Sequence, residues 1–369
     1  MAATRRVADK IARNIYDDIY RCSFKHQIGV NLKLMMDFGA FPTEKNLLIA
    51  AQFLRRELPV RLSHKVVELE NLPFGLSSKA PVLKVRDWYV ESFKEIHGFP
   101  EIVTPSDELE FTQLIHDVKE RHNHVIPMLG LGIQELKAEL GSTTQLPEIH
   151  QFLNRFFLSR IGIRMLIGQH VALHQKNPPG YIGLVSTQVS PVEVIHNAAS
   201  DARAMCSRIY GRSPDVHVVG DSGLKFAYVP THLHWMVFEL LKNSLRSVQE
   251  RFSTASKTPA VKVIVAGGTE DVTIKISDEG GGIPRSELPK VWSYFYSTGE
   301  IPLLDQNRFL EQPSDAMAGY GYGLPVTRLY ARYFGGDLQL ASMEGYGTQA
   351  YLHLSRLKNT KEPYDVLCI

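Results

Sequence analysis

The stretch QKNPPGYIGLVSTQVSP (175–191) holds three prolines and two glycines, and the hydrophobic pattern changes across it. Before it, apolar residues recur every three to four positions; after it, several short runs are β-branched or alternate. A change of period at a Pro/Gly-rich stretch marks a domain boundary. A helical domain is therefore expected over 1–177 and a mixed domain over 178–369, and 369 residues suffice for two domains of ~100–200 each.

In the first half, TEKNLLIAAQFLRREL puts Leu47, Ala51, Leu54 and Leu58 on one helical face. VRDWYVESFKEI does the same with Val85, Trp88, Tyr89, Phe93 and Ile96. A third helical stretch is expected over 109–140 with a kink at Pro127, and a fourth, the longest, over 149–174. Long amphipathic helices with short connections imply an antiparallel four-helix bundle. In the second half, VHVVG (216–220), VKVIVAG (261–267), DVTIKIS (271–277), DLQLAS (337–342) and TQAYLHL (348–354) read as strands. Gly267 and Gly268 suggest a hairpin turn between two of them. Helices are expected near 192–209, 231–252 and 323–334, so the fold class is α+β, with a mixed sheet in the second domain.

Composition removes several function classes. The net charge of +2 gives no electrostatic footprint for nucleic acid. No apolar run approaches the ~18 residues of a membrane span. Cys22, Cys206 and Cys368 lie far apart without Cys-x-x-Cys spacing, which argues against a disulfide framework or a zinc site. Arg5, Arg6, Lys10 and Arg13 are interrupted by Asp9, so the terminus is a weak presequence.

Four short motifs in the second half carry chemistry. ELLKN (239–243) lies within the helix at 231–252. At ~100° per residue, Val237, Leu240, Leu241, Ser244 and Val248 share one face, and Glu239, Lys242, Asn243 and Arg246 the other. That polar face is either merely solvated or a rigid wall bearing a proton acceptor and a magnesium ligand. SDEGGGIP (277–284) follows a strand, as a wide turn or as a close approach to a flat ligand with Asp278 accepting from an exocyclic amine. AGYGYGLP (318–325) runs into a helix, the usual way to aim backbone N–H groups at a phosphate. It is neither a dinucleotide fingerprint, since no strand immediately precedes it, nor a Walker loop, since no Gly-Lys-Ser/Thr follows. MEGYGT (343–348) joins two strands and ends on Thr348, within reach of a phosphate or ribose.

In this order the motifs resemble the ATP site shared by the gyrase, heat-shock chaperone, histidine-kinase and MutL-type ATPases, with 297–317 in the place of its mobile lid. Over nearly its whole length the chain is similar to the kinases of the mitochondrial 2-oxo-acid dehydrogenase complexes. RHNHVIPM, FLSRIGIRMLIGQH, FELLKNSLR, GYGYGLPVTRLYARYFGGDLQL and SMEGYGT carry the likeness, which is nearer to the plant-type pyruvate dehydrogenase kinases than to the branched-chain enzyme. The resemblance implies an α/β sandwich binding ATP with Mg2+ and K+, in a serine kinase that inactivates the decarboxylase component. It implies Glu239 as general base, Asn243 as metal ligand and Asp278 as adenine reader. Lys242 and Arg246 would neutralise charge, Ser297 and Thr298 touch nucleotide, and Gly282, Gly319, Tyr320, Gly321, Tyr322, Gly323, Leu324 and Thr348 line the nucleotide. His122 is a second candidate catalytic residue, and Arg160 and Arg164 resemble the lining of a regulatory pyruvate pocket. The family also implies docking on the lipoyl domain of the acyltransferase core, a homodimer and the mitochondrial matrix. Trp235 stands where animal relatives place a histidine before the base. The Asp-Trp tail of those relatives is missing after KEPYDVLCI, so lipoyl docking is expected to differ. Alternatives are a branched-chain dehydrogenase kinase or a histidine-kinase-like autokinase. The latter needs an acceptor histidine followed by an acid, whereas GQHVALH and RHNHV offer histidines without it.

Overall fold

The computed structural model describes residues 13–141, 146–176, 178–294, 296 and 321–356. These form two compact units: 13–29 with 38–175, and 30–37 with 176–296 and 321–356.

The first unit is helical: α1 (Arg13–Ser23), α3 (Glu44–Glu70), α4 (Ala80–His97), α5 (Pro105–Arg121), α6 (Val125–Leu140) and α7 (Pro147–Leu173), with α2 (Leu32–Gly39) lying mostly in the other unit. The helix starts are written locally. The Thr43 hydroxyl accepts from the Asn46 N–H, and Thr104 and Asp107 form a capping box ahead of Pro105. α3 packs on α4, α5 and α7, and α5 on α7, around Leu58, Tyr89, Phe93, Phe111, Ile115, Phe156 and Phe157. Each such side chain contributes about 1.5–3 kcal/mol when fully buried. The fully buried Arg61 is tolerated because Glu57 accepts from its Nε at 2.8 Å and the Ile28 carbonyl from its Nη2 at 2.7 Å.

The helix expected over 109–140 is two helices. The break falls at the 3-10 turn His122–His124, not at Pro127, which sits in the first turn of α6 where a missing N–H costs nothing.

The second unit is a five-stranded mixed sheet covered by helices. The strands are β3 (Val216–Val219), β5 (Val261–Gly267), β6 (Asp271–Ser277), β7 (Asp337–Met343) and β8 (Gly347–Ser355), in the order β3-β5-β6-β8-β7. Only β3–β5 is parallel; β5–β6 is the hairpin expected at Gly267 and Gly268. Val263, Ile274 and Leu352 alternate inward, against α8 (Pro191–Tyr210), α9 (Pro230–Arg251) and α10 (Gly323–Tyr333). A small antiparallel sheet of β1 (Tyr181–Ile182), β2 (Val185–Val189) and β4 (Phe226–Tyr228) completes the unit. The register pairing Ser277 with Gln349 brings the chain leaving β6 beside the turn entering β8. The loops at 278–282 and 343–348 thus meet at one end of the sheet, next to α9.

Candidate active site

α9, these two loops and the start of α10 enclose a cleft of about 690 Å3 within the second unit. Glu239, Lys242, Asn243, Arg246, Asp278, Gly282, Gly321, Gly323, Leu324 and Thr348 all line it. Three of the four motifs singled out in sequence, and the part of the Gly-x-Gly-x-Gly run from Gly321 onward, therefore meet in space. Ser297, Thr298, Gly319, Tyr320 and the segment 297–317 lie outside the described residues.

Glu239, on the polar face of α9, is 2% exposed. Its charge is held by Lys242, whose Nζ donates to Oε1 at 2.7 Å. The other oxygen, Oε2, faces the first residue of α10: a Cβ added at Gly323 would lie 2.6 Å from it. Asn243, one turn further on, presents an amide that no other described residue engages. Arg246 reaches Glu250 at 3.7 Å. Trp235 packs its ring on Tyr330, 4.9 Å away.

Asp278 sits at the far wall, buried. Its Oδ1 accepts from the backbone N–H of Gly280 at 3.0 Å and of Thr348 at 3.3 Å; its Oδ2 accepts from the Ser244 hydroxyl at 2.9 Å. Burial pushes its carboxyl above the usual carboxylate range, against these three hydrogen bonds. Oδ2 keeps a lone pair for one further donor.

The glycines here also serve the packing of the loops on each other. A Cβ at Gly282, whose φ is 72°, would overlap the Met343 carbonyl, and one at Gly347 would overlap the Asp278 carbonyl. They let the two loops zip together, with Gly281 N–H donating to Tyr346 O at 3.0 Å and Gly345 N–H to Gly281 O at 2.7 Å. Gly321, with φ 73°, makes the left-handed entry into α10, whose first N–H groups have no intrahelical partner.

Tyr322 does not line the cleft; its ring is buried, 5.9 Å from that of Tyr294. His122 is packed inside the first unit. Its ring lies 4.3 Å from that of Tyr89 and its Nε2 3.1 Å from the Ser92 hydroxyl. Burial, with a smaller push from Arg160, Arg121 and Arg164, lowers its pKa to about 3, so it is neutral near pH 7. Arg160 donates to the His122 carbonyl at 2.9 Å, and Arg164 to Lys119 O and Asn123 Oδ1 at 3.1 Å each. Both brace the turn at His122–His124.

Two residues of the site were missed in sequence. Ser244, assigned to the apolar face by its neighbours, positions Asp278. Arg251 donates to Glu279 O, Tyr346 O and Gly345 O at 3.1, 2.7 and 2.9 Å, tying both loops to the end of α9.

Comparison with known proteins bears on both units. A family model described as mitochondrial branched-chain alpha-ketoacid dehydrogenase kinase matches residues 29–186. One described as histidine kinase-, DNA gyrase B- and HSP90-like ATPase matches 228–358. The mitochondrial [pyruvate dehydrogenase (acetyl-transferring)] kinase of Arabidopsis thaliana is 55% identical over 364 residues, covering 98% of this chain and 99% of that protein. The kinase of the same name from Schizosaccharomyces pombe is 38% identical over 91% of this chain and 95% of its own. Isozyme 4 from Homo sapiens is 37% identical over 89% of this chain and 81% of its own.

Proposed function

The chain belongs to the mitochondrial pyruvate dehydrogenase kinase family, and we propose that it moves the γ-phosphoryl group of ATP to serine hydroxyls of the pyruvate dehydrogenase decarboxylase, switching that component off. The relatives matched over most of the chain carry the pyruvate name, which outweighs the branched-chain description of the model matching 29–186. The observation that carries the reading is the buried Glu239 carboxylate, one oxygen held by Lys242 and the other facing the start of α10.

Phosphoryl transfer is chiefly positioning and charge stabilisation. Oε2 of Glu239 is the oxygen left to take the proton of an incoming hydroxyl. Lys242 keeps its partner oxygen engaged, and its own charge lies beside the path of the transferred group. The free lone pair of Asp278 Oδ2 suits the amino group of adenine, and the N–H groups at 323–325 suit phosphate, save for that of Pro325, which is absent. The unengaged Asn243 amide supplies an oxygen ligand of the kind magnesium prefers, so the residues fit that ion. Held by Asn243, Mg2+ would supply positive charge to offset that of the phosphates.

The same reading places the protein in the mitochondrial matrix as a homodimer. It also has the first unit dock on a lipoyl domain of the acyltransferase core. Supporting the docking, a pocket in that unit is lined by apolar Ile28, Ile49, Phe53 and Val60 together with Lys25, Arg56 and Glu57, which suits an apolar arm on a charged carrier.

The test is incubation with labelled ATP, magnesium and purified pyruvate dehydrogenase. Acid-stable label on decarboxylase serines is expected, falling about 100- to 10,000-fold in Glu239→Gln while ATP still binds. Acid-labile label on the kinase itself, or near-normal transfer by Glu239→Gln, overturns the assignment.

A further inference from the structure

Apart from the cleft, one group of side chains among the described residues of the first unit converges as ligands do. His170 lies in the last turn of α7 and His174 caps its C-terminus four residues on, and Glu108 and Thr112 lie one turn apart in α5. Both histidine Nε2 atoms lie 2.9 Å from the same oxygen, Glu108 Oε1. The Thr112 hydroxyl lies 2.9 Å from that oxygen, 2.9 Å from His170 Nε2 and 3.5 Å from His174 Nε2.

As a hydrogen-bond cluster this is over-subscribed. Three donors, the two histidine Nε2–H groups and the Thr112 hydroxyl, press on one oxygen that has two lone pairs. As a coordination shell it is ordinary. The carboxylate and histidine atoms all lie within 4.8 Å of one another. Bonds of 2.0–2.1 Å set tetrahedral zinc ligands about 3.3 Å apart, so a shift of a few tenths of an ångström brings each histidine–carboxylate distance of 2.9 Å to that spacing. Glu108 and His170 are buried, and the partly exposed His174, with 18% of its side chain accessible, gives a way in.

We propose that Glu108, His170 and His174, with Thr112 beside them, form a binding site for a zinc-class divalent cation that clips the end of α7 to the start of α5. Two imidazoles and one carboxylate favour Zn2+, and Co2+ as its spectroscopic stand-in, over the oxygen-seeking Mg2+. The cysteine spacing argues against a zinc site, and this site departs from that expectation because its ligands are histidines and a carboxylate, with no cysteine. The clip lies just before residue 176, where the chain passes into the second unit. His170 Nδ1 is buried with no hydrogen-bond partner, so the ring lacks the outer-shell bond that usually strengthens such a ligand. Affinity about 10- to 100-fold below that of a fully supported site follows, suiting reversible occupation.

The experiment is titration of the untagged, EDTA-stripped protein with Co2+ in the absence of nucleotide. Visible d–d bands of a low-symmetry four- or five-coordinate site are expected, displaced by an equivalent of Zn2+. Zn2+ at about 100 times its Kd should raise the melting temperature by about 5 °C. His174→Ala, altering the most accessible ligand, should weaken Co2+ binding at least 10-fold, while His116→Ala, at a half-buried histidine elsewhere on α5, leaves it unchanged. Absence of the bands in the unmodified protein, or equal bands in His174→Ala, overturns the site. The unmodified-protein titration stands even if the variant fails to fold. None of these readouts depends on kinase activity, so they stay separate from the test of phosphoryl transfer.

Discussion

Asp278 shows how a single carboxylate is committed before any ligand arrives. Two backbone N–H groups fix Oδ1 and Ser244 orients Oδ2, so the two oxygens are not interchangeable. In Asp278→Asn the amide oxygen must take the Oδ1 position, because an NH2 there would face two donors. The NH2 then replaces Oδ2, where the Ser244 hydroxyl can turn and accept from it. The fold is thereby spared, but a ligand amine meets a donor in place of an acceptor. A site built on such a hydrogen bond discriminates strongly against the mismatched group. ATP affinity is expected to fall at least ~10-fold, and the preference for ATP over GTP to narrow, with a change of no more than a few degrees in melting temperature. Calorimetric titration with both nucleotides, beside a thermal melt, checks this; unchanged ATP affinity would remove Asp278 from base recognition.

Between elements, the meeting of α9 and α10 is set by a missing side chain. Gly323 opens α10 directly against Glu239, and a methyl group there would lie 2.6 Å from Oε2. The carboxylate is the tip of a flexible chain, so it can swing away at little cost to the fold. Gly323→Ala should therefore leave the melting temperature within a few degrees of the parent and raise helix propensity slightly. Its phosphoryl transfer should still drop by 10-fold or more, because the displaced carboxylate no longer occupies the position set by Lys242. Single-turnover kinetics with saturating ATP, set against ATP affinity, measure this. Normal turnover with an unchanged melt would mean that Oε2 is not the working oxygen. Arg251 acts at the same scale from the other end of α9. Arg251→Ala removes three donors from loop carbonyls and should cost about 1–2 kcal/mol, with weaker ATP binding.

Across the whole molecule, what was legible in sequence is what is local. The five main strands, the Gly267–Gly268 hairpin, and the helix at 231–252 with Glu239 and Asn243 one turn apart all follow from short-range period and spacing. The break at His122–His124 was not legible, because it is fixed by Arg160 and Arg164 from another helix and carries no glycine or proline. Phe226–Tyr228 is too short to alternate, so its pairing with β2 had no local signal. Arg251 bonds backbone carbonyls 94 and 95 positions away, which no periodicity announces. The same long-range packing makes the two units answer acid differently. The His122 pKa is about 3 when folded against an ordinary 6.5, so below pH 6.5 the unfolded chain binds a proton that the native one refuses. Stability of the first unit is therefore intact above about 6.5 and is lost as pH falls toward 3, by at most about 1.4 kcal/mol per pH unit for one proton. Glu108, held below its usual range by His170, Thr112 and His174 against the opposing effect of burial, adds loss in the same direction below the ordinary carboxylate value. Asp278 has the opposite sign: raised by burial, it protonates earlier when folded, so its contribution is present at low pH and fades as pH rises. Melts from pH 7.5 to 5 should thus show a transition that moves down with acid and does not move up with ATP. His122→Asn should start lower at pH 7.5, having lost the ring packed on Tyr89, yet show a shallower decline below pH 6.5. An equally steep decline in the variant would place the acid-sensitive proton on another group.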